Sequence, residues 1–401
     1  MKYIYLPLLL LSILFSATLY GNDKYLILAE GNDWLPLLPN NLIKNHSKIE
    51  KLPFSGFIMS GDSYTNLVMK KDKTLHYKEV WDEVKGLKNL YKNKQHNFMQ
   101  INIDFPSDFW DDIAWERVTN NFSIVAKTAK ELGFKGIVFD DEPYPKSAMK
   151  MVNFKFPDKE TISKNPKKFQ AWEKKGSEDN WVDKDAYRNS QHTFKEHMTK
   201  VSSRFKNIMI AMEKNFQNLT LLVYNGPSYA HKNSNKETII VTDVGLAREH
   251  EYKGAIFTGL KQGLNNTSSL HDMGESYRYR KDIHFKNAYQ WRKYNIAKDK
   301  YNDLNSSYEW KIPKKDRLSW SNDVNVGFMV FNKGLKSNYS IYDTRKNSRL
   351  INIKETLTKA LKYSDKYVIY YCQEQDWLLP NKKYPLKKGW MEMMKEVYSK
   401  I

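Results

Sequence analysis

A single cysteine, Cys372, stands in a chain of 401 residues, so no intrachain disulfide can form and the fold must rest on its core. No glycine-rich phosphate fingerprint follows any strand-like run, which argues against a nucleotide; no cofactor is expected. The Gly-x-Ser-x-Gly pattern of a serine nucleophile is missing too, and Cys372 closes an apolar run that reads as a core strand. Beyond the N-terminus no apolar stretch is long enough to cross a bilayer. Acids are scarce against bases, 46 Asp and Glu to 65 Lys and Arg, leaving a formal net charge of +19. Such a charge suits acidic polymers or anionic membranes. The lysines are scattered among asparagines, though, and form no recognisable nucleic-acid module, so no nucleic-acid partner is expected.

What is present describes a folded, exported chain. A hydrophobic content of 41% with 14% aromatic residues is enough to build a large core. Residues 1–21 carry Lys2, an apolar run from Ile4 to Phe15, and small residues at Ser16, Ala17 and Gly21. This is the pattern of a secretory signal peptide, predicting a secreted or periplasmic protein with one domain over 22–401. The run is short for a membrane anchor and contains Pro7, so no stable membrane insertion is expected after cleavage.

Strand and helix signals alternate along that domain. Strands are predicted over 54–61, 98–105, 136–139, 219–224, 324–331 and 367–372. Helices are predicted over 78–90, 112–132, 189–216, 353–363 and 388–398. In 112–132 the apolar positions Ile113, Val118, Phe122, Val125, Ala126 and Ala129 fall near helical spacing. In 98–105 Gln100, Asn102 and Asp104 alternate with Met99, Ile101 and Ile103, as expected of a strand with a polar face toward a barrel lumen. Segments 237–241 and 254–260 are apolar but carry no clear period. Residues 144–187 form a long insertion rich in lysine and turn residues, of the kind used as a lid or binding loop. No composition break marks a linker. The alternation favours a single (β/α)8 TIM barrel over an open doubly wound sheet.

The most informative stretch is 132–145, Leu-Gly-Phe-Lys-Gly-Ile-Val-Phe-Asp-Asp-Glu-Pro-Tyr-Pro: a helix end, a glycine turn, a buried strand and three carboxylates at its C-terminal end. That end is where α/β folds place their chemistry. Strand parity sets Val138, Asp140 and Glu142 on one face, and Ile137, Phe139 and Asp141 on the other. The large apolar pair belongs against outer helices, so Asp140 and Glu142 are predicted to face the lumen. Asp141 points away, suited to holding the loop. Two carboxylates this close cannot both ionise cheaply, which suits a general acid beside an orienting or stabilising partner. Cleavage of a glycosidic bond uses such a pair; binding a cation or capping the turn is the structural alternative.

Residues 133–142 resemble the active-site strand of barrel glycoside hydrolases, most closely the chitinase-type family 18. The glycines, the apolar positions, Asp140 and Glu142 coincide without a gap over about a dozen residues. The resemblance implies Glu142 as proton donor and Asp140 as the residue that orients the substrate. Lys135 and Val138 stand where that family has two further aspartates. Asp141-Glu142-Pro143 also resembles the Asn-Glu-Pro of retaining barrel glycosidases, which use a second glutamate as nucleophile. Glu374 is the first candidate for that role and Glu275 the second, although Glu374 reads equally as a solvated strand-end acid. Phe139-Asp140-Asp141 resembles the Asp-Asp of metal-dependent polysaccharide deacetylases. His192 and His197, the histidines nearest in sequence to that scheme, are five apart, the wrong spacing for two ligands on one helical face; they read as surface residues, and no metal site is expected.

The sequence thus predicts a glycoside hydrolase cleaving a polysaccharide or glycan by carboxylate general acid catalysis. Glu142, Asp140 and Glu374 are the catalytic candidates. Asp104, Asp141, Tyr144, Tyr224, Asn225, Asp272, Glu275 and Trp377 are candidate substrate contacts. Trp34, Trp172 and Trp181 are further aromatics able to stack on sugar rings. The alternatives are a carbohydrate-binding barrel without turnover and a metal-dependent deacetylase.

Overall fold

A computed structural model of the chain describes residues 23–30, 37–70, 72–104, 109–142, 192–227, 247–274, 279–303, 310–332, 348–372, 377, 386 and 388–401. The segment read as a signal peptide and the 144–187 insertion lie outside them. So does 237–241.

Nine strands form one sheet: β1 (Tyr25–Glu30), β2 (Gly56–Met59), β3 (Phe98–Asn102), β4 (Gly136–Asp140), β5 (Thr220–Val223), β6 (Ser269–Asp272), β7 (Val324–Val326), β8 (Phe328–Asn332) and β9 (Tyr367–Cys372). Their order is β7-β6-β5-β4-β3-β2-β1-β9-β8, with every neighbouring pair parallel. Only Gly327 separates β7 from β8. The first half of this broken strand pairs with β6 and the second half with β9, so the sheet returns on itself. The molecule is the (β/α)8 barrel that the alternation predicts, with the seventh position filled by a strand in two pieces.

Seven longer helices accompany the strands: α1 (Tyr77–Val84), α2 (Asp112–Leu132), α3 (Phe194–Asn215), α4 (Ala247–Gly263), α5 (Asp282–Lys293), α6 (Ser348–Tyr363) and α7 (Trp390–Tyr398). None of the described helices is long and apolar enough to cross a membrane. Helix α2 shows why the sequence folds as it does. The Asp111 carboxylate accepts the Ala114 N–H at 3.0 Å and caps its start. Gly133, at φ 76°, ends it in the left-handed conformation that glycine adopts without strain. Its buried stripe runs through Trp115, Val118, Phe122, Val125 and Ala129. Ile113, expected on that stripe, is instead 72% exposed, because the second position of the helix turns away from the sheet. Helix α3 begins at Phe194 behind a reciprocal cap between Thr193 and Glu196, five residues after the predicted start at 189. Residues 254–260, without a clear period, belong to α4.

Parity divides each strand between two apolar layers. Ile137 and Phe139 of β4 join the large core between sheet and helices. Ile27, Ile58, Phe98, Val138, Leu222, Met329, Tyr367 and Ile369 form a separate cluster that fills the lumen. Apolar side chains therefore plug the middle of the lumen, and its C-terminal mouth is left for the polar side chains at the strand ends.

The seam at Gly327 is where closure is decided. The Gly327 N–H donates to the Asp272 carbonyl at 2.8 Å, and a Cβ on Gly327 would lie 2.5 Å from the Met273 sulfur. Arg292 of α5, almost wholly buried, donates to the carbonyls of Asp272 (3.3 Å) and Gly327 (3.0 Å). It also lies 3.5 Å from the Asp272 carboxylate. Its neighbour Lys293 pairs at 2.9 Å with Asp365, whose carboxylate also accepts the Val326 N–H and the Tyr289 hydroxyl. Two consecutive basic residues of one helix thus brace the first piece of the broken strand and the break itself.

Removing one member of a buried ion pair leaves the other uncompensated, at a cost of about 3–5 kcal/mol. Arg292→Met is accordingly expected to lower the unfolding free energy by that amount in urea titration. Adding Asp272→Asn should recover part of it, and a fully additive loss in the double variant would contradict the pairing.

Candidate active site at the mouth of the barrel

Gly136 opens β4 because a Cβ there would lie 1.9 Å from the Thr220 carbonyl oxygen; its absence lets β4 and β5 lie close. The strand then runs Ile-Val-Phe to Asp140, whose register partner on β3 is Asn102. Val138 belongs to the lumen cluster, so Asp140, two residues on, shares its face. The Asp140 carbonyl accepts the Ile103 N–H at 2.8 Å, extending the β3 pairing beyond its last residue. One Asp140 carboxylate oxygen accepts the backbone N–H of Glu142 at 3.0 Å, which fixes the chain direction as it leaves the strand. Asp141 faces the other way. Its carboxylate accepts the Asn225 N–H at 2.8 Å and ties the end of β4 to the end of β5.

Of the three acids only Glu142 is partly exposed; Asp140 and Asp141 are buried. Burial is the first cause that pushes the Asp140 carboxyl well above its ordinary range. The Glu142 charge raises it further, against a smaller pull from the Glu142 N–H and Lys253. Burial likewise pushes Asp141 up to about 7, opposed by Lys253 and the hydrogen bond from Asn225.

The expected contacts fall into three groups. Asp104, half-buried, follows β3 on the same parity as Gln100 and Asn102. Tyr224 packs in the lumen cluster, and its N–H donates to the Phe139 carbonyl at 3.0 Å, placing it beside Asp140 on the β5 side. Asn225 is buried against Asp141. Two expected contacts lie elsewhere. Asp272 sits on the helix-facing side of β6, paired with Arg292 at the seam, because parity puts His271 and not Asp272 into the lumen. Trp377 is completely buried in the helix-side core, edge-on to Phe54 at 5.2 Å and Tyr370 at 6.2 Å, so its ring faces offer nothing to a sugar. Glu374, Tyr144 and Glu275 lie outside the described residues, as do Trp34, Trp172 and Trp181. His197, expected at the surface, is buried beside Phe109 and Trp110. Among the described residues no three His, Cys, Asp or Glu side chains gather to hold a metal ion.

Phe331, Tyr371 and Asn66, not singled out from the sequence, complete the mouth together with Gln100 and Asn102 of the expected polar face. Phe331 of β8 and Tyr371 of β9 are register partners on the lumen parity, with rings stacked at 5.1 Å and 23°. Both are partly exposed. In an eight-position ring, β9 is four positions from β4, so this aromatic pair faces Asp140 across the mouth. On the near side, Gln100 donates to Asn102 at 2.7 Å, and Asn102 donates to Asn66 in the turn after β2 at 2.8 Å. Tyr371 carried no signal of its own, because 367–372 is an unbroken apolar and aromatic run. Asn66, placed by a turn, left none.

No family model matches the chain. None of the curated proteins compared with it matches either. Solved structures similar to it include a GH5-4 broad specificity endoglucanase from an uncultured bacterium, at 10% identity and TM-score 0.45, covering 91% of this chain and 86% of that one. Another is a GH18 chitinase from Pseudoalteromonas aurantia, at 8% identity and TM-score 0.37 over 92% and 99%. A third is a beta-1,4-D-mannanase from Cryptopygus antarcticus, at 10% identity and TM-score 0.42 over 94% and 91%.

Because the folded carboxyl of Asp141 titrates above its ordinary value of 3.8, its stabilising contribution is complete below about pH 4 and is lost as pH rises through about 7. Asp141→Asn keeps an acceptor for the Asn225 N–H and carries no charge. Urea unfolding should therefore find the variant equal to wild type near pH 4 and more stable by about 1–4 kcal/mol at pH 8. A difference that does not change with pH would contradict the assignment.

Proposed function

We propose that the chain is a secreted or periplasmic glycoside hydrolase that cleaves a polysaccharide or glycan at the mouth of its barrel. One observation carries this reading: a buried Asp140 bound to the backbone of Glu142 at the C-terminal end of β4, facing the aromatic pair Phe331 and Tyr371. The aromatic faces suit the C–H faces of a pyranose, while Asn66, Asn102 and Gln100 offer amides to its hydroxyls.

In this mechanism Asp140, buried beside the Glu142 charge, resists ionisation and keeps its proton at the floor of the mouth. Glu142, the partly exposed member, is the general acid that protonates the glycosidic oxygen as the bond to the anomeric carbon breaks. The carboxylate it leaves behind lies where positive charge develops on the sugar ring and is attracted to that oxocarbenium-like centre. Glu374 is the first candidate for the second carboxylate, which attacks or activates water, and Glu275 the second. Tyr224 beside Asp140 is placed to orient the reacting sugar.

A second reading, a glycan-binding barrel without turnover, is favoured by Val138. It packs in the lumen cluster directly below Asp140, where a catalytic series of aspartates would continue. A metal-dependent deacetylase finds less support, since no histidines among the described residues stand with Asp140 and Asp141 as ligands.

Glu142→Gln, assayed on a panel of labelled glycans, is expected to lower kcat by about 10²–10⁴-fold with KM little changed. A wild type that binds glycans but releases no product would leave the binding reading in place, and an undiminished Glu142→Gln would displace the site. Tyr371→Ala should raise KM about tenfold, from the loss of about 1–1.5 kcal/mol of stacking, with a smaller effect on kcat.

A further inference from the structure

The opposite end of the barrel carries a cavity that the catalytic reading does not use. Three αβ turns enclose about 410 Å³ at the N-terminal ends of β3, β4 and β5. These are the turn after α1, the turn at Gly133 after α2, and the turn at Phe216 after α3. A ligand-binding pocket typically measures about 300–1,000 Å³, so this space is of ligand size. Strand β4, five residues and about 15 Å long, separates it from Asp140.

Its lining has a definite chemistry. Tyr91, Phe134 and Phe216 provide apolar ring surface. Asn89 and Asn218, both exposed, bring side-chain amides that can donate and accept together. Lys94 and Lys135 bring positive charge, and none of the lining residues is acidic. The Lys94 ammonium is fixed in place by donating to the Leu52 carbonyl at 2.8 Å, with Glu50 attracting it from outside the lining. A Cβ built on Gly133 meets nothing within 4 Å, so the glycine that ends α2 leaves the space open.

Aromatic rings with amides match the alternating C–H faces and hydroxyls of a sugar, and Lys135, in a lining without acids, matches a carboxylate or sulfate. We infer that this cavity is an accessory binding site for an anionic oligosaccharide, separate from the catalytic mouth. It holds a charged segment of glycan at the far end of the barrel and does not depend on turnover. The large positive charge of the chain favours approach of such a polymer from any side.

The test is calorimetric titration of the full chain with oligogalacturonate, a size-matched neutral cello-oligosaccharide, and inorganic sulfate. Oligogalacturonate should bind, with affinity falling as salt rises. Lys135→Glu and Asn218→Glu, each checked for an unchanged melting temperature, should weaken it at least tenfold, while Glu142→Gln should leave it unchanged. The proposal is overturned if the neutral oligosaccharide binds equally well, if sulfate alone reproduces the binding, or if both N-terminal-face variants bind as wild type does. Binding that responds only to Glu142→Gln would assign the ligand to the mouth and would likewise overturn it. Absence of activity in wild type, by contrast, bears on the catalytic reading and leaves this site untouched.

Discussion

Everything in this molecule depends on one strand dividing its hydrogen bonds between two neighbours. Up to Val326 the chain belongs to β6; from Phe328 it belongs to β9; and Gly327 makes the change because no side chain fits between Met273 and the backbone of Tyr367. At the change of partner Arg292 donates to the Gly327 carbonyl and adds a second donor to the Asp272 carbonyl, which already accepts the Gly327 N–H. A buried guanidinium needs an anion nearby, and Asp272 supplies it at the cost of its own desolvation. Closure of the sheet, and with it the existence of a lumen, thus rests on a charged pair placed in the helix layer.

Once there is a lumen, adjacent residues of a strand acquire opposite roles. Asp140 and Asp141 are chemically identical and both buried, yet one faces the mouth beside Asn102 and the other grips the backbone of Asn225. The buried tie at Asp141 restrains the strand end from which Asp140 and Glu142 project. Both acids are held up in pKa chiefly by burial, Asp140 on the floor of the mouth and Asp141 behind it.

The sequence made legible whatever depends on neighbours along the chain. Helix α2 could be bounded to the residue because an aspartate cap precedes it and a glycine ends it. Strand β9 has the bounds its apolar run predicts, and the parity of β4 separates Asp140 from Asp141 as the residues alone imply. What depends on distant partners was hidden. Asp272 looked like a strand-end acid of the cleft because nothing near it in sequence announces Arg292, twenty residues on. Trp377 looked like a stacking residue because its burial against Phe54 requires β9 and the turn before β2 to meet. Phe331 and Tyr371 become a pair only through register between two strands some forty residues apart. Ile113 failed for a different reason: at the helical period it lies roughly opposite Val118, Phe122 and Ala129, while Ala114 and Trp115 beside it are buried.

Strand β1 is hydrogen-bonded along its whole length to β9, Tyr25 opposite Tyr367 and Glu30 opposite Cys372. The first strand to be synthesised therefore waits about 340 residues for its second neighbour, which at roughly 5–20 residues per second is tens of seconds. Throughout that interval the nascent chain has an open, apolar edge and no possibility of a finished barrel. The ring closes only once β9 has left the tunnel, and any factor that keeps the early half extended until then works with the topology.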